Sequence, residues 1–373
     1  MKTNNIRAVL MPKWGLAMHE GTISAWHVAE GDRIEEGAPI CDIETSKIAN
    51  EFESPFTGDV ARLLVVEGTL VNVGDLIAVI ADSKPTDAEV DALIAEYAVP
   101  PKDAADDSAD LSLKSVALRS GVIQYLETGD ENAATVVLFV HGFGGDHTNW
   151  GLLQAELPET IRAIAIDLPG HGGSDKAVGN GTAKDIARIV LEFVDALNLK
   201  SVHLVAHSFG TNIAAAMVVA RPELCASLTM IAPPALGATV NRDYVEGFVA
   251  ARRKKDMRPV IEMLFSNPAM VGRTMVNDAI TQFRDDDAHH AIGAIAAALL
   301  SAPASDPDRD LAFLRGRRAI LVWGDCDLVV PMPEKLRSTA PDLLHVIEGT
   351  GHMPHAEQPT KVAEILAKHL NGR

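Results

Sequence analysis

The chain has 373 residues, more than one ordinary hydrophobic core holds, and this length predicts two domains. Its 33 basic and 51 acidic residues leave a formal net charge of −18, which argues against nucleic acid and anionic membranes as partners. No apolar stretch has the length of a secretory signal or a membrane span, so we expect a cytoplasmic protein. Three widely spaced cysteines form neither a disulfide framework nor a metal-ligand set, and we predict no bound metal.

The N-terminal part of the chain contains an internal repeat. Residues 21–47 align without gaps on residues 58–84. Glycines recur at matched places, such as Gly31 and Gly68, where tight turns are expected. The short β-branched runs between these glycines have the period of strands. Because one copy of a few short strands cannot form a core alone, we predict a small β-sandwich with internal two-fold symmetry over residues 5–81.

One lysine lies at the junction of the two copies. Lys47, in "ETSKIANE", stands between two predicted strands, on a hairpin, whereas its repeat partner Lys84 comes where the second copy ends. A lysine on a turn is usually only a solvated side chain. The repeat, with "EGDRIEEG", "ETSK" and "SPFTGDV", resembles the lipoyl domains of 2-oxo-acid dehydrogenase complexes, whose modified lysine occupies this place. The resemblance implies lipoate on Lys47. Biotin carriers flank their lysine with methionines, where this chain has Ser46 and Ile48.

An acidic flexible linker is predicted over residues 82–112. The segment carries nine acidic and two basic side chains and is rich in Ala, Asp, Pro and Ser, a composition that does not form a core. Within it, Val90, Leu93, Ile94 and Tyr97 have the spacing of one helix face. We therefore expect a short helix that docks on a neighbouring domain. A motif that docks a partner protein is the alternative.

Residues 113–373 have the pattern of an α/β domain. Continuous apolar runs such as "ATVVLFV" are typical of strands buried on both faces of a parallel sheet, and helical segments alternate with several of them. This alternation predicts a doubly wound sheet. Residues 236–310 break the alternation, and we expect them to form a helical cap over the sheet. Within the cap, the basic run at 251–258 is either a solvated helix face or a contact for anions at the site entrance.

The pentapeptide "AHSFG" has the pattern of a strand, a nucleophile and a helix. Ser208 follows the strand-like run "SVHLVA" and precedes the helix-like run "TNIAAAMVVA". A sharp turn at the nucleophile requires small residues two positions before and after it, and these are Ala206 and Gly210. The usual first residue is glycine, so Ala206 is a departure, although a small one.

An acid and a histidine follow in the order that this pattern requires. Asp327 comes after one predicted strand and His352 after the next. We assign Ser208 as the nucleophile, His352 as its base and Asp327 as the group that orients the base. Asp325 is the alternative acid and His355 the alternative base.

Two backbone N–H groups are the expected oxyanion-hole donors, those of Phe143 in "HGFGG" and of Phe209. A plain glycine turn is the alternative interpretation of "HGFGG". These motifs resemble the α/β-hydrolase superfamily across about residues 113–373. In that superfamily "DLPGHGGSD" (residues 167–175) recurs as a structural loop, and we give it no chemical role.

The two halves together resemble the acyltransferase subunits of bacterial acetoin dehydrogenase systems, in which a lipoyl domain is fused to an α/β-hydrolase-like domain. The resemblance implies transfer of an acetyl group from the lipoyl arm of Lys47, through Ser208, to CoA. It also implies two partners, the thiamine-diphosphate-dependent acetoin dehydrogenase subunits and dihydrolipoyl dehydrogenase. A lipoyl-bearing thioesterase or esterase, with water as the acceptor, is the alternative. A non-catalytic scaffold module is the third.

Overall fold

A computed structural model describes residues 6–12, 20–44, 49–83, 85–97 and 113–371. The chain divides into two compact units, Met1–Asp110 and Leu111–Arg373. Among the described residues, no helix is both long enough and apolar enough to cross a lipid bilayer.

Two four-stranded sheets form the first unit. Their strands are β1 (Ile6–Leu10), β2 (Glu20–Trp26), β3 (Arg33–Ile34), β4 (Pro39–Glu44), β5 (Ala49–Glu53), β6 (Gly58–Leu63), β7 (Leu70–Asn72) and β8 (Leu76–Ala81). The sheets have the orders β1-β8-β6-β3 and β5-β4-β2-β7. The strands β1, β8, β6 and β3 of the first sheet correspond in position to β5, β4, β2 and β7 of the second, and each pair is four strands apart along the chain. The predicted sandwich with two-fold symmetry is therefore confirmed.

Apolar side chains from both sheets form the core of this unit. Ile23 and Ile43 of one sheet are buried with Val60 and Ile80 of the other. The matched glycines of the repeat, Gly31 and Gly68, both have positive φ angles, 95° and 84°, which only glycine adopts at little cost. The repeat thus preserves the turns as well as the strands.

A helix, α1 (Asp87–Tyr97), follows β8 and packs against β1 and β8. Its residue Val90 is buried. Arg62 of β6 forms ion pairs with Asp87, at 2.8 Å, and with Asp91, at 3.1 Å. The helix predicted from the apolar spacing is therefore present and docks on the sheet that contains β1 and β8. The assignment of residues 82–112 as a linker stays a prediction.

An eight-stranded sheet organises the second unit. Its strands are β9 (Lys114–Leu118), β10 (Gly121–Thr128), β11 (Thr135–Val140), β12 (Ile161–Ile166), β13 (Val202–His207), β14 (Cys225–Ile231), β15 (Ala319–Gly324) and β16 (Leu344–Ile347). Their order is β16-β15-β14-β13-β11-β12-β10-β9. Strand β10 runs antiparallel to both β9 and β12, whereas β11 to β16 form a parallel sheet. Alternate side chains of a strand face opposite sides, so Val137 and Phe139 enter one core cluster while Leu138 and Val140 enter another.

Helices cover both faces of this sheet. Those outside the cap are α2 (Gly151–Ala155), α3 (Ala183–Ala196), α4 (Phe209–Ala220), α10 (Leu336–Thr339), α11 (Pro354–Glu357) and α12 (Pro359–Leu370). Helices α2 and α12 pack on one face, and α3 and α4 on the other. The cap lies between β14 and β15 and consists of α5 (Arg242–Ala250), α6 (Lys254–Glu262), α7 (Arg273–Gln282), α8 (Asp286–Ser301) and α9 (Pro307–Arg315). Its apolar residues join the core cluster of α3 and α4, so the cap is packed onto the sheet domain.

Candidate active site

Ser208 lies in a strained turn between β13 and α4. Its φ and ψ are 50° and −124°, a conformation that costs a residue with a side chain about 1–3 kcal/mol. Hydrogen bonds hold this turn in place. The Ser208 N–H donates to the carbonyl of Ile231 at 2.8 Å, and the Thr211 hydroxyl donates to the carbonyl of Ser208 at 2.6 Å. Such strain, held by neighbouring strands and the helix, is typical of a functional position.

The small residues beside Ser208 have different steric importance. A Cβ at Gly210 would lie 2.4 Å from the carbonyl oxygens of Val140 and His141, so this glycine lets α4 pack on the end of β11. Ala206 is fully buried, and its methyl group is accommodated in the core. The departure from glycine at position 206 is therefore compatible with the turn.

Asp327 and His352 lie in the loops that follow β15 and β16. The Nδ1 atom of His352 is 2.8 Å from Oδ2 of Asp327, and both side chains are almost fully buried. The second carboxylate oxygen, Oδ1, accepts the N–H groups of Val329 and Val330, each at 2.8 Å. The Asp327 carboxylate is thus fixed by the backbone on one side and contacts the imidazole on the other.

The alternative acid, Asp325, and the alternative base, His355, have surroundings that differ from those of Asp327 and His352. Asp325 is exposed, and its Oδ1 accepts the N–H of Gly349 at 2.7 Å, which ties two loops together. His355 is fully buried and stacks on Trp150, with 4.6 Å between the ring centroids. Burial, with a smaller contribution from His352, lowers the pKa of His355 to about 3. These surroundings favour Asp327 and His352 for the proposed roles.

The loop that carries Phe143 is held by His141. The Nε2 atom of His141 accepts the N–H of Leu168 at 2.9 Å, so its Nδ1 carries the proton and donates to the carbonyl of Gly142 at 2.8 Å. Burial lowers the pKa of His141, in keeping with this neutral form. Among the described residues, the Phe143 N–H has no acceptor, and Phe143 lines the cavity that also contains Ser208.

The second expected donor, the N–H of Phe209, lies at the start of α4. Being in the first turn, it has no acceptor within the helix. The positive end of the helix dipole also lies there, which favours negative charge. Both groups are suited to bind an oxyanion, and their use in that role stays a proposal.

The run "DLPGHGGSD" contains a residue that the sequence analysis overlooked. His171 accepts the N–H of Gly144 on Nε2 at 3.2 Å, and its Nδ1 donates to the carbonyl of Pro169 at 3.2 Å. Burial, followed by the effect of His141, holds the pKa of His171 well below its usual value. A neutral His171 therefore fixes the loop next to Phe143. The contact between His171 and "HGFGG" could not be predicted from the sequence, because the two are 27 positions apart.

His207, the residue before Ser208, was also overlooked. Its Nε2–H donates to the backbone carbonyl of His352 at 2.8 Å. Its ring centroid is 4.6 Å from that of His352 and 4.8 Å from that of His355. Burial first, and then His352, lowers the pKa of His207 well below its usual value. His207 thus stays neutral and supports the loop that bears His352.

Ser208 and His352 line one cavity of about 230 Å³. The cap contributes the following residues to its wall: Tyr244, Phe248, Ile261, Leu264, Phe265, Met275, Asp278, Ala279 and Gln282. Of the lining residues, Leu152 and Met275 are exposed apolar side chains. Burial, and then the charge of Asp146, raises the pKa of Asp278. The cavity is therefore a mainly apolar space between the Ser208 turn and the cap.

The basic run of the cap lies elsewhere. None of the described residues that line the cavity comes from 251–258. Arg252 lies 2.6 Å from Nε2 of His289, and Arg253 pairs with Asp256 at 2.7 Å. Residues 252–255 are exposed. These positions favour the solvated helix face over the anion contact at the entrance.

The predicted carrier lysine, Lys47, and its repeat partner Lys84 fall outside the described residues. The strands on either side of Lys47 are described. β4 and β5 pair antiparallel up to Glu44 and Ala49, as a hairpin around Lys47 requires. This pairing is compatible with a modified lysine between the two strands.

One possible metal-binding group was not foreseen. Donor atoms of His27, Asp42 and Glu51 all lie within 4.8 Å of one another, and His27 Nε2 is 3.0 Å from Asp42 Oδ1. The three residues come from separate stretches of sequence, so no spacing motif marks them. The side chains of His27 and Asp42 are more than a third exposed. We assign the cluster no role. The three cysteines are free thiols.

Comparisons with known families and structures agree with this division into two units. The alpha/beta hydrolase family matches residues 137–365, and the biotin–lipoyl family, described as "biotin-requiring enzyme", matches residues 7–80. A bacterial membrane phospholipase A is similar in structure, with a TM-score of 0.60 and 26% identity over 70% of this chain and 86% of that chain. A meta-cleavage product hydrolase from Pseudomonas fluorescens IP01 has a TM-score of 0.60 and 21% identity over 69% of this chain and 97% of that chain, which shows the fold alone.

Two relatives match along nearly the whole chain. One, from Cupriavidus necator, is 34% identical over 98% of this chain and 97% of its own length. The other, from Pseudomonas putida, is 33% identical over 98% of this chain and 99% of its own length. Both are named dihydrolipoyllysine-residue acetyltransferase component of acetoin cleaving system. The chain, with a lipoyl-type unit followed by an α/β-hydrolase unit, therefore belongs to the family of these acetyltransferase components.

Proposed function

We propose that this protein transfers an acetyl group from S-acetyl-dihydrolipoyl-lysine to CoA, as the acyltransferase of an acetoin-cleaving complex. The observation that carries the proposal is the 2.8 Å contact between His352 and Asp327, with His352 and Ser208 lining one cavity. The names of the two full-length relatives support the donor and the complex.

The first half-reaction forms an acetyl-serine. His352 takes the proton from the Ser208 hydroxyl as its oxygen attacks the thioester carbon. The N–H groups of Phe143 and Phe209 stabilise the negative oxygen of the tetrahedral intermediate. The C–S bond then breaks, and His352 returns the proton to the departing thiol. Asp327 keeps Nδ1 of His352 protonated and stabilises the imidazolium.

The second half-reaction transfers the acetyl group to the acceptor. His352 removes the proton of the CoA thiol, and the sulfur attacks the ester carbon of acetyl-Ser208. The tetrahedral intermediate uses the same two N–H donors. It collapses with release of Ser208, which regains its proton from His352. Water is the competing nucleophile, and the cap over the cavity is suited to exclude it.

The acetyl donor in this proposal is a lipoyl group on Lys47. A lipoyl group attached there would supply a thiol at the end of a long arm, on which an acetyl group travels as a thioester. The antiparallel pairing of β4 and β5 on either side of Lys47 fits such an attachment. Ser46 and Ile48 favour lipoate over biotin, because biotin carriers have methionines at these places. The proposal makes CoA the co-substrate.

The partners follow from the donor chemistry. Acetoin dehydrogenase subunits that use thiamine diphosphate would load the acetyl group, and dihydrolipoyl dehydrogenase would reoxidise the dithiol. The names of both relatives refer to one component of an acetoin cleaving system, which supports a multi-subunit assembly.

The alternative functions use the same chain differently. A lipoyl-bearing thioesterase would use Ser208, His352 and Asp327 in the same way but transfer the acyl group to water. A non-catalytic scaffold would need none of these residues, and the buried contact between His352 and Asp327 speaks against it.

A product assay separates these functions. Wild-type protein and a Ser208→Ala variant are incubated with S-acetyl-dihydrolipoamide, with and without CoA. An acetyltransferase yields acetyl-CoA with CoA present and little free acetate without it, and Ser208→Ala yields neither. Rapid release of acetate that is independent of CoA would establish the thioesterase. Equal rates for wild type and Ser208→Ala would overturn the role of the serine.

A further inference from the structure

Two side chains of the cap donate hydrogen bonds to the loop that carries the Phe143 N–H. Gln282, the last residue of α7, donates from Nε2 to the carbonyl of Gly145 at 3.1 Å. Tyr244 of α5 donates its hydroxyl proton to the carbonyl of Phe143 at 3.4 Å, a longer and weaker contact. Burial raises the pKa of Tyr244, so its hydroxyl stays protonated and can donate. The cap thus contacts this loop on its carbonyl side.

The sheet domain holds the same loop on its N–H side. His171 accepts the N–H of Gly144, so the peptide between Phe143 and Gly144 has both polar groups engaged, its carbonyl with Tyr244 and its N–H with His171. Because a peptide group is planar, contacts at its two ends set its orientation. That orientation in turn constrains the preceding peptide, which carries the N–H of Phe143.

Apolar packing leaves this loop little room. Gly144 has a φ of 75°, and a Cβ there would lie 2.6 Å from the ring of Phe248 in α5. The rings of Phe143 and Phe248 meet edge to face, with 5.4 Å between their centroids. The cap also reaches the second loop of the site, where the N–H of His352 donates to the carbonyl of Leu264 at 2.8 Å. The cap therefore contacts both the loop that carries Phe143 and the loop that carries His352.

We propose that Gln282 and Tyr244 are positioning residues for the oxyanion hole, and that the Phe143 N–H is correctly placed only while the cap is seated on its loop. This inference rests on the proposed function, in which the Phe143 N–H stabilises the tetrahedral intermediate. A displaced cap would both admit water and remove one oxyanion donor. Formation of acetyl-Ser208 would then be confined to the closed, water-poor state of the cavity.

The test uses the full-length protein and p-nitrophenyl acetate, an acetyl ester that can acylate a serine without a lipoyl arm or CoA. Removal of a direct oxyanion donor lowers kcat by about 10²–10³. A residue that only positions the donor should matter less, and we expect Gln282→Leu to lower kcat/KM about tenfold relative to wild type. Tyr244→Phe keeps the ring and should have a smaller effect, because its hydrogen bond is longer.

A transition-state mimic separates positioning from general damage. A methyl trifluoromethyl ketone forms a tetrahedral adduct with an active serine, so its inhibition constant should rise in each variant by the same factor as kcat/KM falls. Gln154→Leu is the matched control. It removes hydrogen bonds of the same kind, from Nε2 to the carbonyl of Ala163 at 3.2 Å and to the hydroxyl of Thr128 at 3.4 Å, on the opposite face of the sheet. Gln154→Leu should change neither kcat/KM nor the inhibition constant of the ketone.

The outcomes distinguish the inference from the proposed function. If Ser208→Ala is inactive while Gln282→Leu and Tyr244→Phe keep the wild-type kcat/KM, the positioning role is overturned and the proposed function stands. A fall in kcat/KM without a matching loss of affinity for the ketone also overturns it. If Ser208→Ala itself keeps wild-type activity, the proposed function is overturned, and the positioning role is overturned with it.

Discussion

The Nδ1 atom of His352 lies 2.8 Å from one carboxylate oxygen of Asp327, while the other carboxylate oxygen accepts two backbone N–H groups. The carboxylate cannot turn away from the imidazole without breaking those two backbone hydrogen bonds. This arrangement fixes the ring orientation and places the proton on Nδ1, which leaves Nε2 as the atom that can accept a proton from Ser208.

The first prediction concerns the choice between the two aspartates. Asp327→Asn should lower kcat for acetyl transfer by about 10⁴, because the neutral amide no longer stabilises the imidazolium or holds its tautomer. Asp325→Asn is the matched control and should keep most activity, since Asp325 is exposed and its carboxylate accepts from the Gly349 N–H and the Cys326 thiol rather than contacting His352. A larger loss of kcat in Asp325→Asn than in Asp327→Asn would reverse the assignment.

The second prediction concerns the strained turn at Ser208. A positive φ of 50° favours glycine, so Ser208→Gly should be more stable than Ser208→Ala by about 1 kcal/mol, after the greater backbone entropy of glycine is subtracted. Urea denaturation of the two Ser208 variants measures the difference. Equal or reversed midpoints would mean that the turn is not strained.

The third prediction is a pH dependence of stability. Burial lowers the pKa of His355 from 6.5 to about 3 in the folded protein, so below pH 6.5 the unfolded chain binds a proton that the folded chain does not. The stability contributed by this neutral histidine is complete above pH 6.5 and is lost as the pH falls towards 3.

The variant His355→Phe tests this dependence. Between about pH 5.5 and 4, the free energy of unfolding of the wild type should fall more steeply than that of His355→Phe, by about 1.4 kcal/mol per pH unit. The phenyl ring keeps the stack on Trp150, and neither ring nitrogen of His355 has a hydrogen-bond partner among the described residues. Urea titrations across this pH range measure both slopes, and identical slopes would contradict the assignment.

The fourth prediction concerns the carrier lysine. Protein produced in cells that make lipoate should carry one lipoyl mass increment, and Lys47→Ala should abolish it while Lys84→Ala leaves it unchanged. Intact-mass measurement of the three proteins decides the point. An increment that persists in Lys47→Ala would place the modification elsewhere.

The sequence by itself determined the features that depend on neighbours along the chain. The repeat of residues 21–47 in 58–84 predicted the symmetric sandwich, because strand period and glycine turns are local properties. The order of Ser208, Asp327 and His352 after predicted strands was likewise sufficient to nominate them, since parallel strands bring their carboxyl ends to one edge of a sheet.

Only the tertiary structure decided which side chains of distant segments meet. Asp325 and Asp327 are two residues apart in one loop, and only the path of that loop exposes one carboxylate and buries the other against His352. Gln282 lies 137 positions from Gly145, with no spacing motif to connect them. Hydrogen bonds between cap, loop and sheet depend on how helices pack on a folded core, and that packing has no local signature in the chain.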